Sequence, residues 1–227
     1  MKRLGMLFLA GVLVLTNSFF VFGQTTDSVV SEEQGNEYNY SVQEIVDEVN
    51  QKYGTDIQLD EPFPSERTIT DVNKNKLTQK EFSAILNKKA AKIAEHRAAV
   101  RKQFENRTGR APFEKPENVN YNDSARAATI KNYSKTKEIE YIPVTVTGKV
   151  ITESFTRFYD LPTVKTKDKL SVIPGGLNRR VTGTDRELID SGRTCAVYLD
   201  IFIDYYDAEL GKIESYSDSG YGEFHAS

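Results

Sequence analysis

Apolar residues recur at two different spacings along this chain. Behind Ser41, the residues Val42, Ile45, Val46 and Val49 fall on one side of a 3.6-residue period. Ser41 with Glu44 forms a capping box, and Tyr40 with Ile45 occupies the staple positions. Gly54 supplies a left-handed stop, so the pattern predicts a helix of about three turns over 41–53. A second capping box, Thr78 with Glu81, opens a longer run in which Leu77 and Phe82 form the staple. Phe82, Leu86, Ile93, Val100 and Phe104 then make a narrow stripe, with Ile85 beside it, in a background of Ala, Lys, Glu and Arg. Gly109 and Pro112 end this helix, whose length is about 43 Å at the usual rise per residue. A stripe that long needs a partner. The first helix covers part of it, leaving the rest for the β part or another chain.

Residues 55–76 contain Pro62 and Pro64 and read as a loop. Residues 111–137 read as a linker with Pro112 and Pro116, and with a weak helical turn near 125–130. From 138 the period becomes two. The runs 139–147 and 150–159 suggest a hairpin, with Pro143 at an edge or bulge. Residues 170–173 suggest a short strand before the turn Pro174, Gly175, Gly176. The clearest strand is 194–206, followed by the pair 212–217 and 222–226. The predicted fold is α+β: a helical hairpin over 40–110 and an antiparallel, β-sandwich-like domain over 138–227.

The N-terminus changes the expected compartment. Lys2 and Arg3 precede an apolar run over 4–15, and the exit ends at Gly23, the pattern of a signal peptide over 1–23. Residues 24–39 are polar and acidic and predict a disordered tail. The expected location is therefore secreted, extracellular or cell-envelope, with no membrane partner once 1–23 is removed. Among 227 residues Cys195 is the only cysteine, so an internal disulfide is excluded and burial of its thiol is expected. Sequons at Asn39, Asn106, Asn122 and Asn132 carry little weight in such Asn-rich segments. The net charge of −3 hides an acidic stretch over 24–60 and a basic one over 61–115.

The run Ser41-Val42-Gln43-Glu44-Ile45-Val46, then Tyr53-Gly54-Thr55, then Leu77-Thr78-Gln79-Lys80-Glu81-Phe82 opening an Ala-rich helix, resembles uncharacterised secreted proteins of Gram-positive bacteria. The likeness spans 41–105. It implies an exported bacterial protein and carries no activity with it.

Candidate chemistry is sparse. Asp71, Asn73 and Asn75 begin a calcium-loop pattern, but Lys76 stands where glycine is needed and Glu81 falls one residue early. No metal or other cofactor is expected. The long helix carries Lys80, Lys88, Lys89, Lys92, Arg97, Arg101, Lys102, Arg107 and Arg110, spread round its polar arc without interleaved aromatics, so nucleic acid is not an expected partner. His96 and His225 match no catalytic motif. Glu138 and Glu140, if on one strand face, stand about 7 Å apart and suit a small secreted hydrolase using a carboxylate pair.

The strand 194–206 is more informative. Its inward face carries Cys195, Val197, Leu199, Ile201, Ile203 and Tyr205. Its outward face carries Ala196 and then Tyr198, Asp200, Phe202, Asp204 and Tyr206, alternating aromatic and acid. Such a face suits a cell-surface glycan or a protein, unless the long helix covers it and pairs its cations with Asp200 and Asp204. The expected role is a non-enzymatic binding protein with the β domain as binding unit. The hydrolase, and a structural protein that oligomerises through the long helix, stay open beside it.

Overall fold

The computed structural model describes residues 41–60, 77–115 and 129–227, all within the unit Asn39–Ser227. The expected signal peptide, the acidic tail and positions 71–76 of the calcium-like loop lie outside the described residues.

Helix α1 (Val42–Tyr53) is capped by Ser41, whose Oγ accepts the Glu44 N–H at 3.2 Å, and ends at Gly54 with φ 65°. Helix α2 (Gln79–Thr108) opens on the reciprocal box. The Glu81 N–H donates to Thr78 Oγ at 3.3 Å, and the Thr78 N–H donates to Glu81 Oε2 at 2.9 Å. These bonds satisfy donors that a helix start leaves unpaired, and they hold the Glu81 carboxyl below its ordinary range. After α1 the chain is folded back by Asn50, whose side chain bonds both the N–H and the carbonyl of Ile57. This launches a short strand, β1 (Gln58–Asp60), in a segment expected to be loop.

The seven remaining strands are β2 (Thr129–Ile139), β3 (Ile142–Thr152), β4 (Thr156–Phe158), β5 (Thr163–Thr166), β6 (Asn178–Ile189), β7 (Thr194–Asp207) and β8 (Lys212–His225). They form two antiparallel sheets, ordered β1-β8-β7-β6 and β2-β3-β4, with β5 also on β3. Val144, Val146, Tyr133 and Phe158 from the smaller sheet share one core with Val197, Leu199, Ile201 and Phe224 from the larger. Cys195 lies in that core, fully buried, and burial pushes its thiol up to about 12. Among the described residues the architecture is α+β, with two helices and antiparallel sheets.

Helix α2 divides its stripe between two partners. Phe82, Leu86, Ala90 and Ile93 pack with Val46 and Val49 of α1. Val100 and Phe104 instead meet Ile189, Ala196, Tyr198 and Tyr221 of the larger sheet. The apolar stripe is therefore covered within the chain. Other segments guard an edge of the larger sheet. Beyond the three positions paired with β1, the outer side of β8 is met by Asp56, which accepts from the Ser217 N–H at 3.0 Å, and by Lys137, which donates to the Glu223 carbonyl at 2.6 Å. An edge blocked in this way cannot recruit a further strand.

Several sequence expectations are corrected. The run 139–147 is not one strand, because Glu140 and Tyr141 both take positive φ (48° and 64°) and turn β2 tightly into β3. Strand β2 begins at Thr129, inside the segment read as linker, so Thr129 and Ile130 of the expected helical turn are strand, while 125–128 lie outside the described residues. As an edge strand it buries little beyond Tyr133 and Ile139, so its sequence lacks the alternation of a core strand. Strand β6 was not foreseen, being charged and interrupted at a bulge between Val181 and Gly183. The expected strand 170–173 is an irregular loop. The pair 212–217 and 222–226 is one strand, in which Gly220 and Gly222 admit the side chain of Ile139. A Cβ on either would stand 2.8 or 2.6 Å from it.

Candidate functional site

The alternation of β7 is kept. Cys195, Val197, Leu199, Ile201 and Ile203 enter the core between the sheets, with Tyr205 packed against it. The opposite face carries Tyr198, Asp200, Phe202, Asp204 and Tyr206, and it is not one surface.

At its first half, α2 lies on the strand. Phe104 meets Tyr198 edge-on at 5.6 Å, and Phe113 meets the same ring at 5.9 Å. The Tyr198 hydroxyl shares a hydrogen bond of 2.7 Å with Ser219 Oγ, and Tyr198 is only 6% exposed. Tyr198 is therefore a packing residue here, not part of an open platform. Asp200 beside it is half-buried. Burial raises its carboxyl pKa, opposed by the Tyr198 hydroxyl and the charges of Arg97 and Arg101. Phe113 reaches this place because Arg110 anchors the chain beyond α2. The guanidinium bonds Asp185 at 2.7 Å and also pairs with Glu187, while the Phe113 N–H donates to Asp185 at 2.7 Å. Gly183 leaves the ring its space, since a Cβ there would lie 2.9 Å from Phe113 Cζ.

At its second half, the face meets a loop instead of the helix. Asp204 accepts from Arg180 and from Asn178, both at 2.7 Å, not from the cations of α2. Arg180 lies 5.8 Å from the Phe202 ring centre. The Tyr206 N–H donates to the Gly175 carbonyl at 2.7 Å. Phe202, Asp204 and Tyr206 are each partly exposed, and they are continuous with the loop 167–177 that joins β5 to β6. Tyr141, in the turn between β2 and β3, adds an exposed ring 4.7 Å from the Arg179 guanidinium.

The helix cations serve the fold. Lys89 Nζ pairs with Asp207 and, at 2.9 Å, with Glu214, two carboxylates that are almost fully buried. The Tyr205 hydroxyl donates to Glu214 at 2.8 Å, and burial with that carboxylate raises its pKa strongly. Arg107 pairs with Glu223 at 2.7 Å and Asp190 at 2.9 Å. His96 Nδ1 meets Asp218 at 2.8 Å, and its Nε2 lies 3.8 Å from Glu140.

That last contact bears on the proposed carboxylate pair. Glu138 lies on β2 opposite Pro143, whereas Glu140 is a turn residue facing His96. The two acids do not share a strand face, so the period-two spacing behind the hydrolase geometry does not apply. Among the described residues no group of three or more His, Cys, Asp or Glu is placed to hold a metal ion.

Sequence reasoning missed the loop 167–177. Its signal was present: an aliphatic run next to Pro and Gly, with cations on both sides. A short apolar run has no period that separates strand from exposed loop. No protein-family model, curated protein or solved structure matches the chain.

Proposed function

We propose that this chain is an exported bacterial protein that acts by binding, not by catalysis, at the cell surface or in the medium. The finer fold reading belongs with that proposal: a helical hairpin bracing one outer face of a sandwich-like β domain, which is the binding unit. One observation carries it. Half of the aromatic and acidic face of β7 stays open, and it continues into a loop whose polar groups are tied down while its apolar side chains reach solvent. Partly exposed aromatic rings with a fixed acid and two arginines suit recognition of a surface ligand.

The test is capture. Chain 24–227 is immobilised and offered cell-envelope fractions, a polysaccharide panel and medium proteins. Retention that survives high salt and falls at least about tenfold in a Phe202→Ala, Tyr206→Ala variant supports the assignment, since hot-spot aromatics carry effects of that size. Equal retention by the two chains, or none by either, refutes it.

A further inference from the structure

The segment 167–180 displays apolar surface in an unusual way. Val172 is 98% exposed, Ile173 65%, Leu170 59% and Leu177 41%. Single exposed aliphatics are ordinary, but four of them within one short loop form a patch.

The loop is nonetheless built. The Ser171 N–H donates to Asn178 Oδ1 at 2.8 Å, and Asn178 in turn donates to Asp204. Ser171 Oγ accepts the Ile173 N–H at 3.1 Å, and the Gly176 N–H donates to the Ile173 carbonyl at 2.9 Å. Lys169 and Arg179 exchange both backbone bonds, at 2.8 and 2.9 Å, which pins the base. Gly176 is required by this closure, because a Cβ there would stand 2.0 Å from Ser171 Oγ. The N–H groups of Ser171, Ile173 and Gly176 are bonded within the protein, which lowers the cost of taking those groups out of water.

Charge names the medium. Lys165, Lys167 and Lys169 are exposed on the approach to the tip, and Arg179 and Arg180 stand on the return. The stretch 169–180 contains no acid. The neighbouring acids are engaged inside the protein: Asp168 accepts from the Val181 N–H at 3.0 Å, and Asp204 from Arg180. A protein partner is less well suited, because interface hot spots favour aromatic anchors and this tip is purely aliphatic. A glycan is less well suited again, since the tip lacks both stacking rings and carboxylates.

On the premise of the binding role above, we propose that this loop docks the protein peripherally on an anionic lipid bilayer. Leu170, Val172, Ile173 and Leu177 enter the acyl boundary while Lys165, Lys167 and Lys169 meet headgroup phosphates. Tyr141, 62% exposed beside Arg179, sits where a ring at headgroup depth belongs. Among the described residues no helix is long and apolar enough to cross a membrane. This departs from the expectation that the mature chain has no membrane partner. That expectation rests on removal of the signal peptide, and the sequence pattern predicts only a short strand over 170–173.

The experiment is co-sedimentation of chain 24–227, which lacks the apolar run 4–15, with two kinds of vesicle: phosphatidylcholine alone, and phosphatidylcholine mixed with phosphatidylglycerol. Binding is expected only to the anionic vesicles. A Val172→Asp, Ile173→Asp variant with unchanged circular dichroism should lose at least about tenfold in partitioning, since charge cannot enter the acyl boundary. Lys165→Gln, Lys167→Gln and Lys169→Gln should each cost about fivefold and flatten the salt dependence. Equal binding to neutral vesicles overturns the anionic-surface model, and a tip variant that binds like the parent overturns insertion and leaves at most adsorption to a polyanion. Absence of vesicle binding also overturns it. If envelope or medium capture then still depends on Phe202 and Tyr206, the binding role stands without the membrane; if capture is absent as well, both fall.

Discussion

Tyr198 and Tyr206 stand on the same face of the same strand, and what covers them differs. Around Tyr198 the face is roofed by Phe104 and Phe113, with Arg110 anchoring the roof to Asp185 and Glu187. Around Tyr206 the loop supplies the Gly175 carbonyl to the Tyr206 N–H, and Asn178 and Arg180 at the start of β6 bond Asp204. Similar residue types therefore do opposite work. Enclosed aromatics and acids hold the helix on the sheet, whereas half-open ones remain available to a ligand. Alternation of aromatic and acid marks a face as amphipathic; it does not say whether that face is a core or a surface.

Substitutions at the two ends should separate these roles. The largest effect is expected from Phe104→Ala, where a fully buried ring is removed from between helix and sheet. Chemical denaturation should register a loss of about 4 kcal/mol, as for other buried aromatics cut to alanine. A loss under about 1 kcal/mol would mean that the roof is loosely packed.

Lys89→Met ranks next. It strands Asp207 and Glu214, whose side chains are 5% and 1% exposed, without a counter-charge. The expected cost is about 3 kcal/mol by chemical denaturation, as when one partner of a buried ion pair is removed. A cost under about 1 kcal/mol would break this account.

His96 offers a smaller, pH-dependent probe of the same junction. Its hydrogen bond to Asp218, then the charges of Asp218 and Glu140, raise its pKa above the ordinary 6.5, against the opposing effect of burial. A raised folded pKa adds stability that is fully present below the unfolded value and is lost as pH climbs through the folded one. His96→Gln should therefore destabilise the protein more at about pH 5.5 than at about pH 8.5. The opposite ordering in thermal melts would show that the ring is held neutral.

The smallest effect belongs to the open end. Val172→Ser with Ile173→Ser should change stability by less than about 0.5 kcal/mol, because side chains exposed at 98% and 65% contribute little burial. A larger drop in the melting midpoint would place these residues in a hidden contact and erase the contrast between the two ends.

The local signals in the sequence were sufficient for the helices. Ser41, Gly54, Thr78, Glu81 and Gly109 act within a few residues of themselves, so capping chemistry sets those ends whatever packs outside. The alternation of Cys195 to Ile203 was equally legible, since successive side chains of a strand point to opposite faces. Local pattern could not reveal β2 and β6, which lie at sheet edges and bury few side chains, nor the turn at Glu140 and Tyr141, formed without glycine. It also could not tell which half of the β7 face α2 would roof. That outcome depends on where Arg110 meets Asp185, 75 residues away, and on Gly183 leaving room for Phe113. Caps and alternation are short-range and survive in the sequence as patterns. Coverage is a contact between distant segments, and only the tertiary structure decides it.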